Sequence, residues 1–99
     1  MMDTQIKEKW VTALRSGKYR QGHGQLRSED DKFCCLGVLC VVTGVDTKLR
    51  ASGNYLFFAP DKALRVSRLG GEAEARLVRM NDSERRTFVE IADYIESHL

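Results

Sequence analysis

From the N-terminus, apolar residues first recur on a helical period. Ile6, Trp10, Ala13 and Leu14 occupy the i, i+4, i+7 and i+8 positions that line one face of an α-helix, with charged residues on the other side. Asp3 or Thr4 is placed to cap the start of this helix, and Gly17 stands where a left-handed C′ residue ends one. Neither apolar period runs through the next stretch, KYRQGHGQLRSEDD, in which Gly22 and Gly24 bracket His23. It predicts an extended loop with a short strand around Gln25 to Arg27. Phe33 to Val42 is apolar throughout, so period alone does not decide its structure. Its length, the acids Glu29, Asp30 and Asp31 before it and the Thr43-Gly44 stop favour a buried central helix, against a mild strand preference of Val38, Val41 and Val42.

The remainder alternates shorter signals. Asp46 to Pro60 reads as a hairpin, with Ser52-Gly53-Asn54 as turn chemistry and Tyr55 to Phe58 as aromatic strand. Pro60-Asp61 opens a short helical turn containing Leu64, which Gly70-Gly71 ends. Ala75 to Met80 predicts a short strand that leads into an Asn81-Asp82-Ser83 turn. Thr87 and Glu90 form a capping box for a last helix whose apolar stripe is Phe88, Ile91, Ala92, Ile95 and Leu99. The sum is one small α+β domain, residues 1–99, with three to four helices packed on a small antiparallel sheet.

Composition agrees with that picture. With 99 residues, 42% of them hydrophobic, there is room for one core. Such a domain is marginally stable alone, and the chain would have apolar side chains on both faces of a Tyr55 to Phe58 strand. Both points suggest a homo-oligomer. The net charge of +2 is too small to announce a nucleic-acid binder, but the charge is unevenly spread. Arg15, Lys18, Arg20 and Arg27 come without an acid between them, whereas the segment from Thr87 onward carries Glu90, Asp93 and Glu96 without Lys or Arg. No secretory signal or bilayer-length apolar run is visible, and the three cysteines crowd into one apolar stretch as reduced thiols would. These features predict a cytoplasmic protein with no membrane contact.

The glycine-broken basic loop is the best candidate for chemistry. Arg15, Lys18, Arg20 and Arg27 offer donors for phosphate oxygens, with Tyr19 and His23 available to stack on a base. Asp82, which follows a predicted strand, is placed to receive a ribose hydroxyl or an arginine, although Asn81-Asp82 also reads as an ordinary turn. The spacing matches no P-loop or dinucleotide fingerprint. A catalytic thiol would need Cys34 or Cys35 beside His23, but the cysteines sit among Leu36, Val38 and Leu39, where a thiol acts as a small hydrophobe. Cys34, Cys35 and Cys40 lack zinc-site spacing, so neither a metal nor a catalytic residue is assigned.

Trp10 through Cys40 (WVTALRSGKYRQGHGQLRSEDDKFCCLGVLC) resembles the front half of a family of short, mostly uncharacterised proteins encoded by phages and prophages. That family has a Trp-containing helix, an ALRSGKY-like turn and an FCCLGVLC block. LVRMND and TFVEIADYIESHL resemble its closing Asn-Asp turn and IADYIE helix. The resemblance implies a phage or prophage accessory protein and transfers no activity. Combined with the basic loop, it predicts a non-enzymatic protein without a cofactor. Such a protein would sequester a small phosphate-bearing ligand, of the class of nucleotide-derived immune signals, through Arg15, Lys18, Tyr19, Arg20, His23, Arg27 and Asp82. The alternative is a protein–protein inhibitor of a host defence enzyme; nucleic acid is the less attractive partner.

Overall fold

The computed structural model describes residues 2–46 and 59–99. Its first helix, α1 (Thr4–Arg15), begins as the sequence predicts: the Asp3 carboxylate accepts the Ile6 N–H at 2.9 Å. Gly17, at φ 75°, follows the helix in the left-handed region. Trp10, Val11 and Leu14 are buried, and α1 packs chiefly on α5 (Phe88–His98) and next on α2 (Cys35–Thr43). The predicted capping box opens α5. Thr87 Oγ1 accepts the Glu90 N–H at 3.2 Å while Glu90 accepts the Thr87 N–H at 3.0 Å. Thr87→Ala is therefore expected to destabilise the protein by about 1 kcal/mol, lowering the midpoint of a thermal melt by roughly 4–8 °C.

Phe33 to Val42 resolves into the predicted central helix. Every residue of α2 from Cys35 to Cys40 is buried, so this helix has no solvent face until Val41. Gly44, at φ 73°, ends it. Gly37 is the point of closest approach. A Cβ there would lie 1.7 Å from the Leu26 carbonyl oxygen, so the loop backbone rests directly on the helix. Leu26 is itself fully buried, and its carbonyl accepts the Cys34 N–H at 3.3 Å.

The α+β class stands, with two differences of detail. The small sheet is parallel: β1 (Arg20–Gln21) pairs with β2 (Lys32–Phe33) in the register Arg20 with Lys32 and Gln21 with Phe33. Burying Leu26 makes the loop descend and return, so its second limb re-enters in the direction of the first. The expected strand near Gln25 to Arg27 shrinks to one antiparallel bridge between Arg27 and Phe33. The helices also number five among the described residues.

The additional helix replaces the strand expected at Ala75 to Met80. Pro60-Asp61 opens a short helix as predicted, α3 (Asp61–Ser67), but Arg68 in the left-handed region ends it. Gly70 then caps α4 (Gly71–Val78), which runs into a π-helical turn, Arg79–Ser83. Ala73, Leu77 and Met80 recur at i, i+4 and i+7, and Glu72 and Glu74 favour the first turn of a helix, which outweighs the short alternation of ARLVRM. The Glu84 N–H reaches back five residues to the Arg79 carbonyl at 2.9 Å, the bond that widens the turn. The predicted hairpin falls almost wholly on 47–58, outside the described residues.

Candidate functional site

The four cations of the basic loop do not converge. Arg15 lies at the end of α1, where its guanidinium bonds Asp93 at 2.7 Å and Glu96 at 2.9 Å and ties α1 to α5. The same contact holds the Glu96 carboxyl below its ordinary pKa. Arg20 donates to the Asp30 carbonyl. Arg27 pairs with Asp31 at 2.5 Å and lies 5.4 Å from the centre of the Phe33 ring. Each of these guanidinium groups is engaged within the fold: acids reach Arg15 across the α1–α5 interface and Arg27 through the turn, and a backbone carbonyl of that turn holds Arg20. Asp82 is structural as well: its carboxylate accepts the Gly24 N–H at 3.0 Å and the Asn81 amide at 2.8 Å, holding the glycine loop in place. His23 is exposed and lines neither hollow described below.

Lys18 and Tyr19 remain together. The Lys18 ammonium lies 5.7 Å from the Tyr19 ring centre, and Tyr19 meets Phe33 edge-on with centroids 5.4 Å apart. Both residues line an open hollow of about 470 Å³ with Lys9, Thr12 and Glu8 of α1. Lys9, absent from the sequence-based set, shows in sequence only as one of several charges on the polar face of α1. Ser16 steadies the rim by donating to the Ala13 carbonyl at 2.7 Å and accepting the Lys18 N–H at 3.1 Å. A second hollow, about 330 Å³, lies between α1 and α5 beside Lys7, Arg15 and Glu96 and shares Glu8 and Thr12 with the first.

Asn81 is the polar residue most deeply built into the fold. It is fully buried, and its side chain has four partners: Oδ1 accepts from Gln21 Nε2 at 3.0 Å and from the Cys35 N–H at 3.2 Å, while Nδ2 donates to the Gly22 carbonyl at 2.9 Å and to Asp82. Cys34 provides no side-chain cap for α2, so Asn81 supplies one from the π-helical turn. The Asn-Asp pair does not form the expected turn after a strand: it lies in the π-helical segment that continues α4, and its side chains, bonded to distant residues, join β1 and α2 to it.

The cysteines are buried free thiols. Burial pushes Cys34 up to about 11 and Cys40 up to about 12, and it raises Cys35 as well. Raised folded-state values stabilise the fold below the thiols' unfolded pKa, near 9.0, and that stability is lost as pH climbs toward the folded values. The protein is thus expected to unfold progressively above about pH 9, with iodoacetamide labelling negligible in the native state at neutral pH and complete in denaturant. Native labelling of Cys34 at a free-thiol rate would contradict this.

Among the described residues no group of three or more His, Cys, Asp or Glu is placed to hold a metal ion, and no helix is long and apolar enough to cross a membrane. Fold and site together define a small α+β domain wrapped around one buried helix, with a cationic hollow on the outer side of α1. The chain belongs to the family described as Domain of unknown function (DUF8296), whose model matches residues 2–54 and so takes in α1, the basic loop and α2. No curated protein and no solved structure matches it.

Proposed function

We propose that the protein is a phage or prophage accessory protein that captures a small phosphate-bearing ligand, of the nucleotide-derived immune-signal class, by stoichiometric binding without chemical conversion. The observation carrying this reading is the open hollow in which Lys9 and Lys18 face the same space as the Tyr19 ring. Two ammonium groups suit a phosphate, and an aromatic ring beside them suits a base. Relative to the seven residues expected from sequence, the site contracts to Lys18 and Tyr19 and gains Lys9; Arg15, Arg20, Arg27 and Asp82 hold the scaffold. Charge-assisted bonds of about 1.5–3 kcal/mol each and a stacked base at roughly 1–3 kcal/mol give a gross interaction that fits micromolar to millimolar affinity.

Thermal unfolding against linear and cyclic nucleotides and ADP-ribose-type compounds tests the reading. A ligand at 100 times its dissociation constant adds about 2.7 kcal/mol, which for a domain of this size raises the midpoint by more than about 10 °C. Lys9→Ala and Lys18→Ala should each remove most of the shift. Glu8→Gln, which takes away the one carboxylate in the hollow's lining, should enlarge it. A flat response across the panel would rule this reading out.

A further inference from the structure

The polar side of α1 carries two hollows, and they share a wall. Glu8 and Thr12, one helical turn apart, line both. On one side of that wall is the hollow of about 470 Å³ that holds Lys9, Lys18 and Tyr19. On the other is the hollow of about 330 Å³ between α1 and α5. Each volume falls in the roughly 300–1,000 Å³ range of small-molecule sites. The 12 residues of α1 give the pair a common edge about 18 Å long, at 1.5 Å per residue.

The two hollows differ in charge. Lys9 and Lys18 outnumber Glu8 in the larger one, which gives it a positive field suited to a phosphate. In the smaller one Lys7 and Arg15 are matched by Glu8 and Glu96. Arg15 is drawn down further, since it bonds Glu96 at 2.9 Å and Asp93 at 2.7 Å. A second phosphate gains no net attraction there. A neutral group rich in hydroxyls does, because an exposed carboxylate bonded to one arginine keeps acceptor capacity for further donors. Val11 adds an apolar contact in the same lining, against which a flat ring can rest. The exposed Thr12 side chain stands between the two spaces, with a hydroxyl to offer whatever links them.

We infer that the two hollows form one two-part site and that its ligand is a dinucleotide. The phosphate and one nucleoside lie beside Lys9, Lys18 and Tyr19, and the linkage passes over Thr12. The second nucleoside lies between α1 and α5, with its ribose hydroxyls donating to Glu96. This inference rests on the nucleotide reading of the Lys9–Lys18 hollow and adds a second nucleoside to it. A mononucleotide occupies one hollow and forgoes the other.

The probes are adenosine diphosphate and the linear dinucleotide pApA, which carry about the same charge on one and on two nucleosides, titrated by isothermal calorimetry. The dinucleotide should bind about tenfold or more tightly, the effect of one hydrogen bond to a charged group. Thr4 is exposed and lines the smaller hollow but not the larger, so Thr4→Trp fills only the proposed second-nucleoside space. In that variant pApA should fall to the affinity of adenosine diphosphate. Adenosine diphosphate itself should bind as it does to the wild type, which also reports that the variant is folded. Lys18→Ala should weaken both probes by the same factor. Equal wild-type affinities for the two probes would overturn the two-part site and leave the single-hollow reading standing. A dinucleotide advantage that survives Thr4→Trp would do the same. Binding of neither probe would overturn both.

Discussion

Gly37→Ala is expected to strip the basic loop from the central helix. On propensity alone, replacing a helical glycine by alanine gains about 1 kcal/mol. At this position the new Cβ would meet the Leu26 carbonyl oxygen at 1.7 Å, an overlap with the loop backbone that no rotamer change relieves. The loop must lift. Lifting exposes Leu26, whose burial stabilises by roughly 1.5–3 kcal/mol, and breaks the bond from the Cys34 N–H at about 1 kcal/mol. Overpacking strain in α2 itself adds about 1–3 kcal/mol. The losses exceed the propensity gain by about 2.5–6 kcal/mol, so the melting midpoint should fall by roughly 10 °C or more. A thermal melt of the Ala variant that matched or exceeded the wild type would mean that the loop does not rest on the helix as described.

Asn81→Ala should be comparably damaging for a different reason. It leaves the Cys35 N–H and the Gly22 carbonyl without their partner in a buried site, at about 1–3 kcal/mol each, and uncaps the central helix. A total of about 3–5 kcal/mol is a large share of the roughly 5–15 kcal/mol by which a domain of this kind is stable. Asn81→Asp separates hydrogen bonding from shape. The acid keeps the acceptor for Cys35 and Gln21 but cannot donate to Gly22, and its charge is buried beside Asp82. Its folded-state pKa must rise, so the Asp variant should gain stability as pH falls and lose it as pH climbs through that raised value. Urea melts at several pH values read this directly. A pH-independent deficit would assign the role of Asn81 to packing alone.

Legibility in the sequence follows the range of the interactions. The helices α1 and α5 could be read because their caps and apolar stripes are local: Asp3 to Ile6, Thr87 to Glu90, and side chains three or four residues apart. The central helix was legible from length and stop signals, despite having no polar face. ARLVRM misleads because six residues fit both an alternating strand and one side of a helix; Ala73, outside that window, decides the matter. The parallel pairing of β1 and β2 depends on where Leu26 is buried, which no pattern within the loop reveals.

The candidate site was harder to read, because like charges adjacent in sequence need not share a ligand. Arg15 finds its acids 78 and 81 residues away, and Asn81 collects partners 46 to 60 residues back. One contact was open to local reasoning: Arg27 and Asp31 are four residues apart and form an ion pair across the turn. Gly37 gave a faint signal of its own, a glycine inside an otherwise uninterrupted apolar helix, where close backbone approach is the usual cause.

The pairing of α1 with α5 also sets the order of events during synthesis. The face of α1 that packs on α5, tied there by Arg15, waits for a helix about 80 residues later in the chain. At elongation rates of about 5–20 residues per second, that face is without its main cover for roughly 4–16 s, apart from what α2 supplies. During this interval the nascent chain offers an unpaired amphipathic helix to chaperones and proteases. Ribosome stalling or premature termination before α5 would leave a segment unable to close its own core, so the abundance of this protein in a cell should depend on how promptly its last helix is delivered.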